Sequence, residues 1–253
     1  MKKKGGFVLI KRILDKLDGF LAKNDYNSAE THLLYWLDEV TKNKDGKTRL
    51  LICNELMGLY RKLGKKENSI KFAKEALLEI EKMQISQNIG AATTYINCAT
   101  VYKAFGMAKE AMPLFYKAKE IYEQGLDPLD ERLAGLYNNM ALALVDLKNF
   151  TKATEYNQKA LLVIEAQPTA KPEAAVTYLN MATAIEQEIG LIDGEQKINE
   201  YLQKAMEILD KTNAINGNYA FVCEKCAGVF GYYGFFHYEN ELKSRARNIY
   251  ERP

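Results

Sequence analysis

Histidine is nearly missing from this chain. His32 and His237 are the two that 253 positions hold, and histidine is the side chain that changes charge near neutral pH, so acid–base catalysis has few candidates. The sequence also carries no glycine-rich phosphate loop, no cluster of metal-ligand residues and no nucleophile beside an evident base. It is not read as an enzyme, and nothing in it asks for a cofactor or a metal. Long apolar runs are equally scarce. The longest uncharged stretch near the C-terminal end covers residues 226–238, well short of the roughly 20 apolar residues that cross a bilayer. Lys2, Lys3 and Lys4 ahead of Phe7-Val8-Leu9-Ile10 have the charge of a secretory leader, but Lys11 and Arg12 cut its apolar part short. A cytoplasmic protein that meets no membrane is expected. The net charge of +2 is too small to argue for nucleic acid. Proline is sparse, with five residues, while 47% of the chain is hydrophobic; that combination suits stacked helices.

What the chain does have is a pattern that returns. Met57, Tyr60, Gly64, Ser69, Ala73 and Ala76 overlay without a gap on Ala99, Tyr102, Gly106, Ala111, Phe115 and Ala118. A later copy runs Ala141, Leu144, Lys148, Phe150, Ala153, Ala160, and the last runs Ala227, Phe230, Gly234, Phe236, Ala246. The copy anchored by Tyr178, Met181, Ala182, Ile185, Leu202 and Ala205 needs four extra residues, so one of its helices or its turn is longer. The first copy is degenerate: Ile13, Leu17, Phe20, Asn24, Tyr26, Ala29 and Leu33 fit, but bulky Trp36 stands where the others place Ala. Placing the turns at Asn24, Gly64, Gly106, Lys148, Asp193 and Gly234 gives spacings of 40, 42, 42, 45 and 41 residues. A period of that constancy is the mark of a solenoid.

Each copy reads as two helices. Tyr95, Cys98, Ala99 and Tyr102 form one stripe of a 3.6-residue helix, and Ala111, Phe115 and Ala118 form the stripe of the next. The alanines allow close backbone approach, Phe115 fills the space that remains, and Gly106 accepts the positive φ of a tight turn. A hairpin of this kind buries its apolar face only against a neighbour. The expected fold is therefore all-α, an α-solenoid of about six helix-turn-helix repeats at 7–43, 47–84, 90–125, 130–167, 173–212 and 217–253, forming one domain over residues 1–253. The cysteines fit this frame. Only Cys223 and Cys226 lie close together, and neither they nor Cys53 and Cys98 find a finger-like set with a histidine. All four fall on core positions of a first helix and are read as packing thiols in a reducing compartment.

The small, aromatic, Gly and Ala positions resemble the tetratricopeptide repeat family, in the longer-period form found in kinesin light chains and bacterial peptide-sensing regulators. The strings Tyr137-Asn138-Asn139-Met140-Ala141 and Tyr178-Leu179-Asn180-Met181-Ala182 carry the same resemblance. It implies a right-handed superhelix whose first helices line a concave groove. Asn97, Asn139 and Asn180 stand at one register position on that inner side, with Asn138 beside them. In the family, asparagines there hold peptide backbones, each amide offering a donor and an acceptor. The alternative is that these asparagines bond one another or water. Asn54, Arg61, Lys62 and Lys103 give the expected groove a basic end, and Asp146, Glu186 and Gln187 an acidic one. Residues 1–84 carry +6 and 85–253 carry −4, either as solvated faces or as steering charge. The carboxylate clamp of chaperone-binding members is missing, since Gly58, Ile96 and Thr100 occupy its places.

The expected function is a protein–protein interaction module that binds an extended peptide or partner segment in the groove. One alternative is a structural adaptor or homodimerising scaffold that uses its convex face or its ends. Another is the sensor subunit of a bacterial peptide-responsive regulator whose output half is a separate chain, since residues 1–12 hold no such domain. A last helix over 239–251 that exposes Lys243, Arg245 and Arg247 reads as a terminal cap and favours a monomer.

Overall fold

The computed structural model describes residues 2–167, 171–212 and 216–251, with side chains from residue 9 onward. Twelve helices and no strand occur among the described residues. Their order is α1 (Lys2–Leu21), α2 (Tyr26–Lys42), α3 (Gly46–Lys62), α4 (Lys66–Lys82), α5 (Ile89–Ala104), α6 (Ala108–Gly125), α7 (Glu131–Asp146), α8 (Phe150–Glu165), α9 (Glu173–Ile189), α10 (Leu191–Lys211), α11 (Gly217–Tyr232) and α12 (Phe236–Tyr250). Consecutive pairs form six antiparallel hairpins, the fold expected from the sequence.

The turns explain where each helix stops. Asn24, Gly64, Gly106, Lys148 and Gly234 all have positive φ, between 53° and 86°, at the positions the repeat assigned to them. In each case the next amide reaches back to close the helix end, as in Lys65 N to Tyr60 O at 2.9 Å and Asn149 N to Leu144 O at 2.8 Å. This is the left-handed cap that satisfies a helix's last carbonyls. Start signals are equally local: Asp25, Asp45, Asp130, Asn149 and Asn216 each accept a hydrogen bond from a backbone amide two or three residues on.

The fifth turn departs from expectation. It falls at Gly190 (φ 88°) rather than at Asp193, which lies in the first turn of α10. Gly190 alone joins α9 to α10, and α10 runs to 21 residues where α8 has 16 and α12 has 15. The inserted residues are therefore helix, not loop. Gly194 shows what that helix needs: a Cβ built on it would come 2.8 Å from Ile185 Cγ2, so its bare Cα lets α10 lie against α9.

The described residues form two compact units, 1–125 and 126–253. In the first, Ala73, Ala76, Ala99, Ala111 and Ala118 are fully buried at the helix contacts, and Phe115 fills the space they leave. Arg49 of α3 ties the two arms of its hairpin together by donating to Glu75 of α4 at 2.6 Å and Glu79 at 2.7 Å. In the second unit, Ala182, Leu202, Ala205, Cys223, Cys226, Phe230 and Leu242 belong to one core. Arg245 of α12 donates to Asp210 of α10 at 2.8 Å and to the Tyr219 hydroxyl at 3.0 Å, joining the last two hairpins across their outer helices.

Candidate functional site

A cleft of about 430 Å³ opens in the second unit along α7, α9 and α11, the first helices of its three hairpins. That volume is within the usual range for ligand sites. Asn138, Asn139 and Asn180 all line it, over a floor that includes Leu142, Val176 and Val229. The amides are not equivalent. Asn139 donates to Gly135 O of its own helix at 2.8 Å, while the Asn180 side chain makes no hydrogen bond among the described residues. Asn138 is committed: its Nδ2 donates to Thr177 Oγ1 on α9 at 2.9 Å, and Thr177 donates in turn to Glu173 O. Because the Thr177 hydroxyl hydrogen is already used, the Asn138 NH₂ group must face it, which fixes the amide's orientation.

Two acceptors in this wall, Asn138 Oδ1 and Glu173 Oε2, are buried and have no partner among the described residues. A buried acceptor left unpaired costs about 1–3 kcal/mol. The other Glu173 oxygen accepts from Asn218 Nδ2 at 2.7 Å, and Lys171 is spent on Glu131 at 2.7 Å. That pairing raises the Lys171 ammonium above its ordinary value. At the mouth, Phe221 is half exposed with Lys225 Nζ 4.9 Å above its ring.

Five sequence-chosen residues, Asn54, Arg61, Lys62, Asn97 and Lys103, lie in the first unit and have local partners or helix-end positions. Asn97 Nδ2 donates to Asn54 Oδ1 at 2.8 Å, and Asn54 Nδ2 reaches Leu50 O at 2.9 Å and Thr94 Oγ1 at 3.1 Å. Here the asparagines do bond one another, locking α3 to α5. Asn54–Thr94 and Asn138–Thr177 are the same contact in the two units. Lys103, like Arg61 and Lys62, sits in the last turn of a first helix, where a cation meets free carbonyls and the negative end of the helix dipole; Lys62 also lies 5.0 Å from the Tyr26 ring. Glu186 is not a free acidic end. It accepts from Tyr232 Oη at 2.5 Å and Tyr233 Oη at 2.7 Å, and this acceptance holds the Tyr232 hydroxyl above its ordinary value.

Thr177, Glu173 and Asn218 were not picked out from the sequence. Thr177 shares its register with Thr94, a signal that becomes visible only once neighbouring helices are aligned; Glu173 and Asn218 carry no such signal. The four cysteines are buried on first helices, and burial pushes the Cys53, Cys98 and Cys226 thiols up to about 12. No described helix is long and apolar enough to cross a membrane.

The tetratricopeptide repeat family model matches residues 133–166, which is α7 with α8. No curated protein matches the chain. Among solved structures, BtubC (BKLC) from P. vanneervenii is similar with a TM-score of 0.70 and 19% identity, covering 82% of this chain and 82% of its own. A putative kinesin light chain with nearly identical TPR-like repeats from Podosopora anserina gives 0.55 and 17%, over 79% of this chain and 94% of that one. The MamA protein gives 0.52 and 16%, over 80% and 92%. At such identities the likeness is one of fold. Repeats of this kind generally mediate protein–protein interaction. Helical hairpins, left-handed caps, one matched repeat and these neighbours agree that the chain has the fold of a tetratricopeptide-like repeat protein.

Proposed function

We propose that the cleft of residues 126–253 holds an extended segment of a protein partner across α7, α9 and α11, and that the chain performs no chemistry on it. The observation that carries this reading is the pair Asn139 and Asn180, on adjacent first helices and lining one cleft with hydrogen-bonding capacity unspent. Packed helices lie about 8–10 Å apart, and an extended chain advances about 10 Å in three residues. Every third peptide unit of a strand laid across the helices thus meets an amide. Backbone contacts of this kind give affinity without much sequence preference, and the apolar floor supplies what selection there is. The unpaired acceptors of Asn138 and Glu173 favour an occupant, peptide or water, that brings donors.

The test is calorimetry with peptides selected from a random display library against the full chain. Replacing Asn139 or Asn180 by Ala is expected to weaken binding by about 0.5–1.5 kcal/mol per hydrogen bond lost, with helix content unchanged because Ala is the better helix former. Unaltered affinity in the Asn139→Ala/Asn180→Ala protein would end this reading. A second reading, an adaptor that joins partners through its outer edge, is favoured by the apolar residues exposed on the turns of the last two hairpins.

A further inference from the structure

Turns between helices are usually polar, because their backbone and side chains face water. Two earlier hairpins follow this rule: Gly64, Lys65 and Lys66 are the exposed residues of one turn, and Lys148 and Asn149 of another, while Phe105 and Met107 of the α5–α6 turn are only partly exposed. The last two do not. Ile189 is 49% exposed, Leu191 53% and Ile192 88% at the α9–α10 turn, while Tyr232 is 69% and Phe236 65% exposed at the α11–α12 turn. The hydrogen bonds from Tyr232 and Tyr233 to Glu186 hold the end of α11 beside the end of α9. The two turns therefore share one edge of the unit. Apolar side chains exposed together on a single edge mark an interaction surface, whereas scattered ones need no explanation.

Charge decides what kind of partner this edge takes. Residues 186–195 and 229–241 contain Glu186, Glu188, Asp193, Glu195, Glu239 and Glu241 but no Lys or Arg. On α12, Lys243 pairs with Glu239 at 2.6 Å and Arg245 with Glu241 at 2.5 Å, so the net acidic charge of the edge comes from Glu186, Glu188, Asp193 and Glu195 at the α9–α10 turn. An acidic rim of this kind repels the anionic surface of a membrane. It complements a cationic one. We infer that the turn edge formed by α9–α10 and α11–α12 docks an amphipathic protein segment whose apolar face is flanked by Lys or Arg. The apolar residues supply the contact that excludes water, and the carboxylates steer approach and reject acidic competitors. This inference accompanies the adaptor reading and does not depend on the cleft being filled.

The experiment uses the full chain and three probes: a Leu/Lys amphipathic helix of about 15 residues, the same peptide with Glu for Lys, and vesicles containing phosphatidylserine. The Leu/Lys peptide is expected to bind, more weakly as salt is raised, and the other two are not. Ile192→Ser/Phe236→Ser is expected to weaken that binding about tenfold or more, with the circular dichroism spectrum unchanged since both side chains stand in solvent. Asp193→Asn/Glu195→Gln is expected to flatten the salt dependence, and the cleft variants Asn139→Ala/Asn180→Ala to leave binding as it was. Equal binding of the Glu peptide, binding to the vesicles, or full affinity in the Ile192→Ser/Phe236→Ser protein would each overturn the proposal. So would light scattering that finds a dimer of the native chain made monomeric by that double substitution, because the occupant would then be a second copy.

Discussion

At the scale of single residues, one register position is filled differently on one helix. Asn97, Asn139 and Asn180 occupy it on α5, α7 and α9, and α3 carries Glu55 there instead. Burial, together with the nearby Asp18 carboxylate, raises the Glu55 carboxyl above its ordinary value of 4.5. A carboxyl raised on folding contributes its full stability below the unfolded value and loses it as pH climbs through the folded one. At neutral pH the ionised Glu55 therefore works against the fold. Glu55→Gln is expected to raise the thermal midpoint at about pH 7, with the gain fading below about pH 4, where both proteins are neutral at this position. A thermal shift that is the same at both pH values would show that the side chain's charge is not the cause. These asparagines were legible in the sequence because they recur in register. That Asn54 already holds Asn97, while Asn180 has no such partner, was not, since it depends on how one helix is set against the next.

At the scale of elements, five of six hairpin turns could be read directly, because a residue tolerant of positive φ coincides with the end of an apolar stripe. Lys148 belongs to this set despite its side chain; the period located it, and the cap geometry shows why the cost of about 1–2 kcal/mol for a left-handed non-glycine residue is accepted there. The fifth turn misled because Asp193-Gly194 has the composition of a turn, while Gly190 is flanked by Ile189 and Leu191 and looks like part of a stripe. In the structure Gly194 serves packing and Gly190 serves the bend. Gly194→Ala separates the two roles. Ala gains up to about 1 kcal/mol in helix propensity, but its Cβ would stand 2.8 Å from Ile185 and 3.2 Å from Ile198, and overpacking costs about 1–3 kcal/mol. A net loss of about 1 kcal/mol is expected in the urea midpoint, with the unfolding slope unchanged. A stabilised Gly194→Ala protein would mean that α10 has room to withdraw from α9.

At the scale of the molecule, repeat proteins open piece by piece, because each hairpin is held mainly by its neighbours. The native thiols are expected to resist alkylation near neutral pH, being both buried and raised above their ordinary value, and all four are expected to react once the chain is unfolded. Mass spectrometry after a short pulse of iodoacetamide checks this, and rapid labelling of the native protein would contradict the packing described for α3, α5 and α11. Their placement has a further use. Cys53 and Cys98 belong to residues 1–125, and Cys223 and Cys226 to residues 126–253, so the chain carries a pair of built-in clocks in each half. Which pair is marked first as denaturant is raised reports which half breathes first, without adding a label. A partner seated on α9 and α11 would slow the second clock and leave the first running at its own rate.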